Sequence, residues 1–164
     1  MAEAKLDNGQ YIYALNDIFI GRKTHVSARY SIVHNGFEEK HSSSGIIVST
    51  GTGSTGWLTS ILTGAKVIAA SNSLSIKVPF PRNSEYLVFA VREPFPTRVT
   101  GVNIVYGEIT RNSPLLVRSN MPEEGVIFGD GIETDYLDFN SGRTATIQPS
   151  DKKVYLVKNL RGKT

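Results

Sequence analysis

The sequence from residue 45 to residue 57 is Gly45-Ile46-Ile47-Val48-Ser49-Thr50-Gly51-Thr52-Gly53-Ser54-Thr55-Gly56-Trp57. Its apolar beginning, residues 45–48, predicts a short buried strand. After it, residues 54–70 place apolar side chains at the i, i+3, i+4 spacing of an amphipathic helix, with Ser54 or Thr55 as its N-cap. The glycine-rich loop at 51–57 therefore lies between a strand and a helix N-terminus, where unpaired amides and a partial positive charge favour an anionic ligand.

Most of the remaining chain predicts short strands separated by turn signals. An Asn35-Gly36 pair predicts a tight hairpin turn after a strand at 28–32. The other predicted strands are residues 11–20, 74–78, 86–91, 103–109, 115–118, 126–128, 134–139, 144–147 and 154–157. Strands of this length and spacing indicate a mainly β fold, with two packed sheets in a sandwich-like arrangement and one main helix. We expect a flexible or added lead-in at 1–9, one domain at 10–158 and a flexible basic tail at 159–164.

The composition excludes several classes of protein. The chain has 164 residues, 40% of them hydrophobic and 20% charged, which is typical of an ordinary globular domain. It contains no cysteine, so disulfides and thiolate metal sites are excluded. No apolar run is long enough to span a bilayer, and we expect a cytoplasmic protein without a membrane partner. The net charge of +3 is mild and scattered, which argues against nucleic-acid binding.

Two common nucleotide-binding motifs fit the loop poorly. Gly51-x-Gly53-x-x-Gly56 has the spacing of the Rossmann fingerprint, but no Asp or Glu occurs between Gly51 and Ser84 to hold a ribose. The P-loop motif is excluded because no Lys follows the glycines. A connecting turn without a ligand remains an alternative on the local pattern alone.

Three stretches in order resemble the NAD kinase family. Residues 45–57 resemble that family's D-G-x-x-x-S-T-P-T-G-S-T-A-Y segment. Upstream, Ala14-Leu15-Asn16-Asp17 resembles its A-L-N-E strand, and downstream, Phe128-Gly129-Asp130-Gly131 resembles its D-G-Q hairpin. The T-G-T-G-S spelling and Arg92-Glu93-Pro94 are most similar to the divergent mitochondrial-type branch. The resemblance covers nearly the whole chain and implies the C-terminal, β-rich half of an NAD kinase.

The resemblance also implies roles for individual residues. Asn16 and Asp17 match an Asn-Glu pair that contacts ribose and base groups of NAD, although Asp17 is one methylene shorter than Glu. Trp57 stands where the family has a Tyr that stacks on adenine. The alternatives are a strand-end turn for Asn16-Asp17 and a core helix residue for Trp57. The other positions that the resemblance assigns to NAD are Thr52, Gly53, Thr55, Gly56 and Ser60.

Other positions depart from the family pattern. Ser44 stands where the family has an Asp that helps to hold the nicotinamide side of NAD, so this position lacks the family's carboxylate. Asp130 and Gly131 are candidates for a nucleotide contact. The family's catalytic Asp lies in a G-G-D-G motif of an N-terminal α/β half, and this sequence contains no G-G-D-G. We therefore expect no catalytic residue in this chain, and the three histidines have no metal-ligand spacing.

The function implied is that of the NAD-binding and oligomerising domain of an NAD kinase, which phosphorylates the 2′-hydroxyl of NAD to give NADP. ATP with Mg²⁺ would serve the complete enzyme, whose missing α/β half is an expected partner, and the isolated chain should be inactive. A homodimer or homotetramer is expected by analogy. A non-catalytic nucleotide sensor and a domain of a related lipid or sugar kinase are the alternatives. The phosphoryl donor, ATP or polyphosphate, and the preference for NAD or NADH stay open.

Overall fold

Strand pairing dominates the architecture. In the part of the chain that the computed structural model describes, residues 1–69, 78–155 and 157, twelve strands form two six-stranded antiparallel sheets. Strands are numbered in chain order. The first sheet has the spatial order β2 (Tyr11–Ala14), β1 (Ala2–Leu6), β12 (Thr144–Pro149), β9 (Leu115–Ser119), β4 (Ala28–His34) and β5 (Phe37–Ser43). The second has the order β11 (Tyr136–Asp138), β10 (Gly125–Gly129), β3 (Asp17–Arg22), β6 (Ile46–Ser49), β7 (Leu87–Val91) and β8 (Tyr106–Ile109).

The two sheets bury different numbers of faces. Buried and more exposed residues alternate along β1, β9 and β12, so this sheet has one face on the core. In contrast, β6, β7 and β10 are buried at every position. The second sheet has the sandwich core on one side and helix α1 (Trp57–Ile68) on the other, which explains why residues 45–48 are uniformly apolar. The prediction of a mainly β, two-sheet fold is confirmed.

Helix α1 covers the outer face of the second sheet through two apolar clusters. Leu58 and Leu62 pack with Phe80, Val88 and Ala90. A second cluster joins the start of the helix to β3, β6 and β10; it contains Trp57, Ile61, Phe19, Ile47, Val126, Phe128 and Tyr136. This packing fixes the helix N-terminus above β3 and β6.

The predicted boundary of the helix at residue 54 was wrong. Residues Gly53–Thr55 form a separate 3-10 turn, and α1 begins at Trp57 with Gly56 as its N-cap. No side chain caps either segment, so Ser54 and Thr55 are not the expected N-caps. Ser54 is instead buried, and its hydroxyl donates to the Gly51 carbonyl at 2.9 Å.

The expected lead-in at 1–9 is also corrected. Residues 2–6 form strand β1, which pairs with both β2 and β12. Ala2, Ala4 and Leu6 are buried in the sandwich core because they alternate with Glu3 and Lys5 at the two-residue period of a strand. Small alanines gave this pattern too little apolar contrast to be recognised in the sequence.

Several predicted strands have different bounds. The strand predicted at 11–20 is interrupted at residues 15–16 and becomes β2 and β3. The hairpin turn at Asn35-Gly36 is present, and the polar segment after it forms β5, which the sequence did not predict. β8 begins at Tyr106, later than predicted. The described residues of the strand predicted at 154–157, residues 154, 155 and 157, form no strand. The described residues do not include residue 70, where the predicted helix ends, or the predicted tail at 159–164. They also leave out residues 74–77, which make up most of another predicted strand.

Candidate functional site

The glycine-rich loop is tied to the junction between β2 and β3. The Thr50 hydroxyl donates to the Leu15 carbonyl at 2.6 Å, and the Thr50 amide donates to the Asn16 carbonyl at 2.9 Å. The same hydroxyl accepts the amides of Thr52 and Gly53, each at 3.2 Å. Thr50 therefore holds the loop against residues 15–16 and places it beside the start of β3.

Two glycines of the loop are required by packing. A Cβ on Gly51 would lie 1.9 Å from the Pro81 carbonyl oxygen, and a Cβ on Gly53 would lie 2.2 Å from the Asn16 carbonyl oxygen. Both contacts are with backbone, which cannot move aside like a flexible side chain. Gly56 is different, because it is exposed and the nearest atom to its Cβ position is 3.3 Å away. Of these three glycines, only Gly56 leaves open backbone facing solvent.

Asp130 organises the same junction from the other side. Its carboxylate accepts the Leu15 amide at 2.8 Å, the Asn16 amide at 2.6 Å and the Asp17 amide at 3.3 Å. Its own amide donates to the Asp17 carbonyl at 2.9 Å. Asp130 adopts a left-handed backbone conformation with φ of +54°, which Asp tolerates better than most residues. The acceptor sites of this carboxylate are largely used by backbone, so Asp130 positions Asn16 and Asp17.

Asp17 is left half-buried and facing the carboxylate of Asp130. Burial raises the pKa of the Asp17 carboxyl above its ordinary value of 3.8, and the negative charge of Asp130 raises it further. A carboxyl in this environment gains from a ligand that donates hydrogen bonds to it. The two hydroxyls of a ribose are such donors.

These residues line one cleft, which we call the Asp17 cleft. Its volume is about 350 Å³. It is lined by Asn16, Asp17, Thr52, Gly53, Thr55, Gly56, Trp57, Asp130 and Gly131. The structure thus brings together nine of the eleven residues singled out from the sequence and leaves out Ser44 and Ser60.

Ser60 and Ser44 lie elsewhere. Ser60 is exposed on α1, and its hydroxyl makes a long 3.4 Å contact with the Gly56 carbonyl of its own helix. Ser44 lines a second cleft of about 680 Å³, which we call the Arg92 cleft. Trp57 lies between the two clefts and contributes to both.

Trp57 is held by an aromatic and a cationic neighbour. Its ring is parallel to that of Phe19, with an interplanar angle of 2° and centroids 5.8 Å apart. The guanidinium of Arg92 lies 5.1 Å from the Trp57 ring centroid, within the range of a cation–π interaction. Both expectations for Trp57 are therefore compatible, since it packs on the core and also borders the two clefts.

The fold is also found in solved structures. An NAD kinase from Archaeoglobus fulgidus in complex with ATP matches with a TM-score of 0.62 and 18% identity, over 92% of this chain. Yeast NADH kinase complexed with NADH matches with a TM-score of 0.63 and 17% identity, over 90% of this chain. The chain has an NAD kinase-like fold. No family model and no curated protein matches the sequence.

The match covers only part of those kinases. The chain spans 51% of the length of the archaeal NAD kinase chain and 39% of the yeast NADH kinase chain. At this level of identity the likeness establishes the fold alone.

Sequence reasoning missed two features of this site. The carboxylate of Asp130 binds backbone amides 113 to 115 residues earlier in the chain, a pairing that requires the β3–β10 register. Arg92 was noted only as part of an Arg-Glu-Pro stretch, and its contact with Trp57 depends on the pairing of β6 with β7.

The described part of the chain contains neither a metal-binding cluster nor a membrane-spanning helix. Within it, no group of three or more His, Asp or Glu side chains is arranged to hold a metal ion. No helix among the same residues is long and apolar enough to cross a membrane.

Proposed function

We propose that this chain is the NAD-binding domain of an NAD kinase. The observation that carries the proposal is the Asp17 cleft, where a half-buried carboxylate, a glycine-rich turn before a helix and a Trp meet in one cavity. These are the three kinds of group that recognise a nucleoside: an acceptor for ribose hydroxyls, backbone amides for polar groups and a flat ring for a base.

Each part of the cleft has a distinct role in this proposal. Asp17 accepts the ribose hydroxyls, and Asn16 supplies an amide side chain that both donates and accepts. The adenine ring lies against the part of Trp57 that borders the Asp17 cleft. The exposed backbone of Gly56 and the Thr55 hydroxyl face the ligand at the start of α1, where the helix dipole is positive.

The chemistry of phosphorylation is assigned to a second half of the protein. Phosphoryl transfer depends on positioning the nucleophile and neutralising charge, and the sequence has no G-G-D-G motif for this purpose. We propose that this chain holds NAD while an α/β half supplies ATP, Mg²⁺ and the catalytic Asp. We also propose that the chain belongs to the mitochondrial-type branch of the family, that it assembles as a dimer or tetramer, and that it lies in the cytoplasm.

The proposal is tested by titrating the chain with NAD and NADP. Trp57 is the only tryptophan in the sequence, so intrinsic fluorescence reports on the cleft, and calorimetry gives an independent Kd. Asp17→Ala removes the acceptor of the ribose hydroxyls and should weaken NAD binding about tenfold or more, since hydrogen bonds to a charged group contribute about 1.5–3 kcal/mol.

Asp138→Ala is the matched control, because Asp138 is an exposed aspartate on β11 that lines neither cleft. It should bind NAD as the unaltered chain does. A flat titration up to millimolar NAD with folded protein would refute the proposed binding site. A kinase assay of the chain joined to an α/β half, with ATP or polyphosphate as donor, tests the assigned reaction.

A further inference from the structure

The Asp17 cleft is lined by two negatively charged side chains and, among the described residues that line it, by no positively charged one. The charged pair is Asp17 and Asp130, and the other lining residues are glycines, threonines, one Asn and one Trp. The cationic side chains of Arg22, Lys23 and Arg92 line the neighbouring cleft instead. The proposed function gives this excess of negative charge no role beyond accepting hydrogen bonds.

Asp130 is held beside Asp17 by three backbone amides. Its carboxylate accepts the amides of Leu15, Asn16 and Asp17, at 2.8, 2.6 and 3.3 Å. Burial is the larger cause of the raised pKa of the Asp17 carboxyl, and the charge of Asp130 is the second cause. The two carboxylates therefore act on one another, and a further negative charge brought into the cleft meets both of them.

Three amides of the glycine-rich loop are already used within the protein. The amides of Thr52 and Gly53 donate to the Thr50 hydroxyl, each at 3.2 Å, and the Gly56 amide donates to the Gly53 carbonyl at 2.9 Å. A glycine-rich loop that binds phosphate instead directs consecutive amides at the anion. These three amides therefore cannot offset the two carboxylates.

A ribose hydroxyl and a ribose phosphate place opposite demands on Asp17. The hydroxyl is neutral and donates a hydrogen bond that the carboxylate accepts. A phosphate in its place carries a charge of about −1.5 to −2 at pH 7 and presents acceptor oxygens to another acceptor. Phosphorylation of this hydroxyl therefore removes a favourable contact and puts like charges next to one another.

We propose that Asp17, together with Asp130, makes the cleft select a ribose with free hydroxyls and reject one that is phosphorylated at its 2′ position. This inference rests on the proposed function and adds a specificity to it, since the substrate NAD then binds more tightly than the product NADP. The carboxylate that accepts the substrate's hydroxyls repels the phosphate that replaces one of them. Selectivity thus comes from repulsion of the product as well as from contacts with the substrate.

The test compares three adenosine compounds at pH 8, where Asp17 and the phosphates are ionised. A chelator is present, because a divalent cation would bridge carboxylates and phosphate. Adenosine has free ribose hydroxyls, whereas 2′-AMP and 5′-AMP are isomers of equal charge that differ in the position of the phosphate. In NMR titrations the Kd of 2′-AMP should be about tenfold or more above that of adenosine. The Kd of 5′-AMP should lie within about threefold of that of adenosine, because both of its ribose hydroxyls remain free to donate to Asp17. Calorimetry should place NAD and NADP in the same order.

Two variants with the same change in net charge separate the role of Asp17 from a general effect of charge. Asp17→Asn keeps hydrogen-bonding groups without the charge, and it should reduce the ratio of the Kd of 2′-AMP to that of adenosine to about threefold or less. Asp138→Asn alters an exposed aspartate on β11 that lines neither cleft, and it should leave the ratio unchanged.

Salt dependence of the unaltered chain gives a measurement that needs no variant, and it serves if Asp17→Asn fails to fold. Raising NaCl from about 0.05 M to about 0.5 M should lower the ratio of the two Kd values, because salt screens the repulsion between carboxylate and phosphate. The Kd of adenosine should stay constant, because adenosine is neutral.

The outcomes separate this inference from the proposed function. Binding of 2′-AMP as tight as that of adenosine, or equal losses for 2′-AMP and 5′-AMP, would overturn the inference while leaving NAD binding intact. A ratio that persists in folded Asp17→Asn, or that does not change with salt, would also overturn it, because the exclusion would then be steric. Failure of the folded, unaltered chain to bind adenosine and NAD would refute the proposed function and this inference together.

Discussion

Replacement of Asp130 by Ala tests whether one carboxylate holds the candidate site together. The change removes two short hydrogen bonds to the amides of Leu15 and Asn16, at 2.8 and 2.6 Å, and a longer one to Asp17. Hydrogen bonds to a charged group contribute about 1.5–3 kcal/mol each when water is excluded. Asp130 is exposed and water can replace part of what is lost, so we expect a decrease of about 1–2 kcal/mol in the free energy of unfolding from these bonds.

The backbone adds a separate contribution. Asp130 has a φ of +54°, and an alanine in the left-handed region is about 1 kcal/mol less favourable than a residue that tolerates it. Asp130→Ala should therefore lower the free energy of unfolding by about 2–3 kcal/mol in total. Asp130→Gly restores the backbone freedom without the carboxylate, and Asp130→Asn keeps an oxygen acceptor without the charge. Urea denaturation of the three variants separates the two contributions.

NAD binding supplies a second measurement on the same variants. Asp130 raises the pKa of the Asp17 carboxyl, although burial raises it more. NAD binding should weaken as the pH falls through the pKa of Asp17, because the protonated carboxyl accepts ribose hydroxyls less well. In Asp130→Asn the pKa of Asp17 falls, so this loss should move to lower pH. Asp130→Ala with unchanged stability would refute the assignment of Asp130 as the organising residue, whereas Asp130→Asn with an unchanged pH profile would refute only its effect on the pKa of Asp17.

Two more predictions concern the loop and the sandwich. Gly53→Ala should destabilise the fold by about 1–3 kcal/mol, because its Cβ would lie 2.2 Å from the Asn16 carbonyl oxygen. Gly64→Ala on α1 should stabilise the fold by up to about 1 kcal/mol, because its Cβ would have no atom within 4 Å. Thermal denaturation of the two variants checks this contrast. His41 is buried against the Tyr30 ring, and burial lowers its pKa below 6.5 even though its Nε2 lies 3.0 Å from the Glu39 carboxylate. The unfolded chain therefore binds a proton before the folded chain does, so stability should be full above about pH 6.5 and decrease as the pH falls below it. His41→Gln should lack this part of the acid destabilisation in urea titrations at pH 5 and 7, and an identical pH dependence in the two proteins would contradict the argument.

Strands with strong apolar character could be predicted, and weak or polar ones could not. Residues 45–48 are buried on both faces and carry a signal that composition alone reveals. Strand β5 has the sequence Phe-Glu-Glu-Lys-His-Ser-Ser and lies at the edge of its sheet, so only one side of it is paired. Strand β1 relies on two alanines for burial, and alanine has little preference for strands.

The sequence predicted which residues line the Asp17 cleft better than it predicted why those residue types are needed there. Nine of the eleven residues predicted from the sequence line the cleft, since the glycine loop and the Asn16-Asp17 pair both lie next to strand β3. The resemblance assigned Gly53 to NAD, but backbone contacts within the protein already require glycine at positions 51 and 53. A glycine in a motif shows that a side chain is absent, but it does not show whether protein backbone or a ligand fills the space. Only the three-dimensional contacts distinguish these two causes.

Strand β3 couples the stability of the second sheet to the geometry of the cleft. Asp17, at its first position, pairs with Ser49 of β6, and the next residue, Ile18, pairs with Gly129 of β10. The glycine-rich loop leaves β6 and Asp130 follows β10, so both sides of the cleft are carried by the two strands that flank β3. A substitution that loosens either pairing must move Asp17 relative to the loop. Ligand binding should in turn stabilise this part of the sheet, because the ligand binds only the native arrangement.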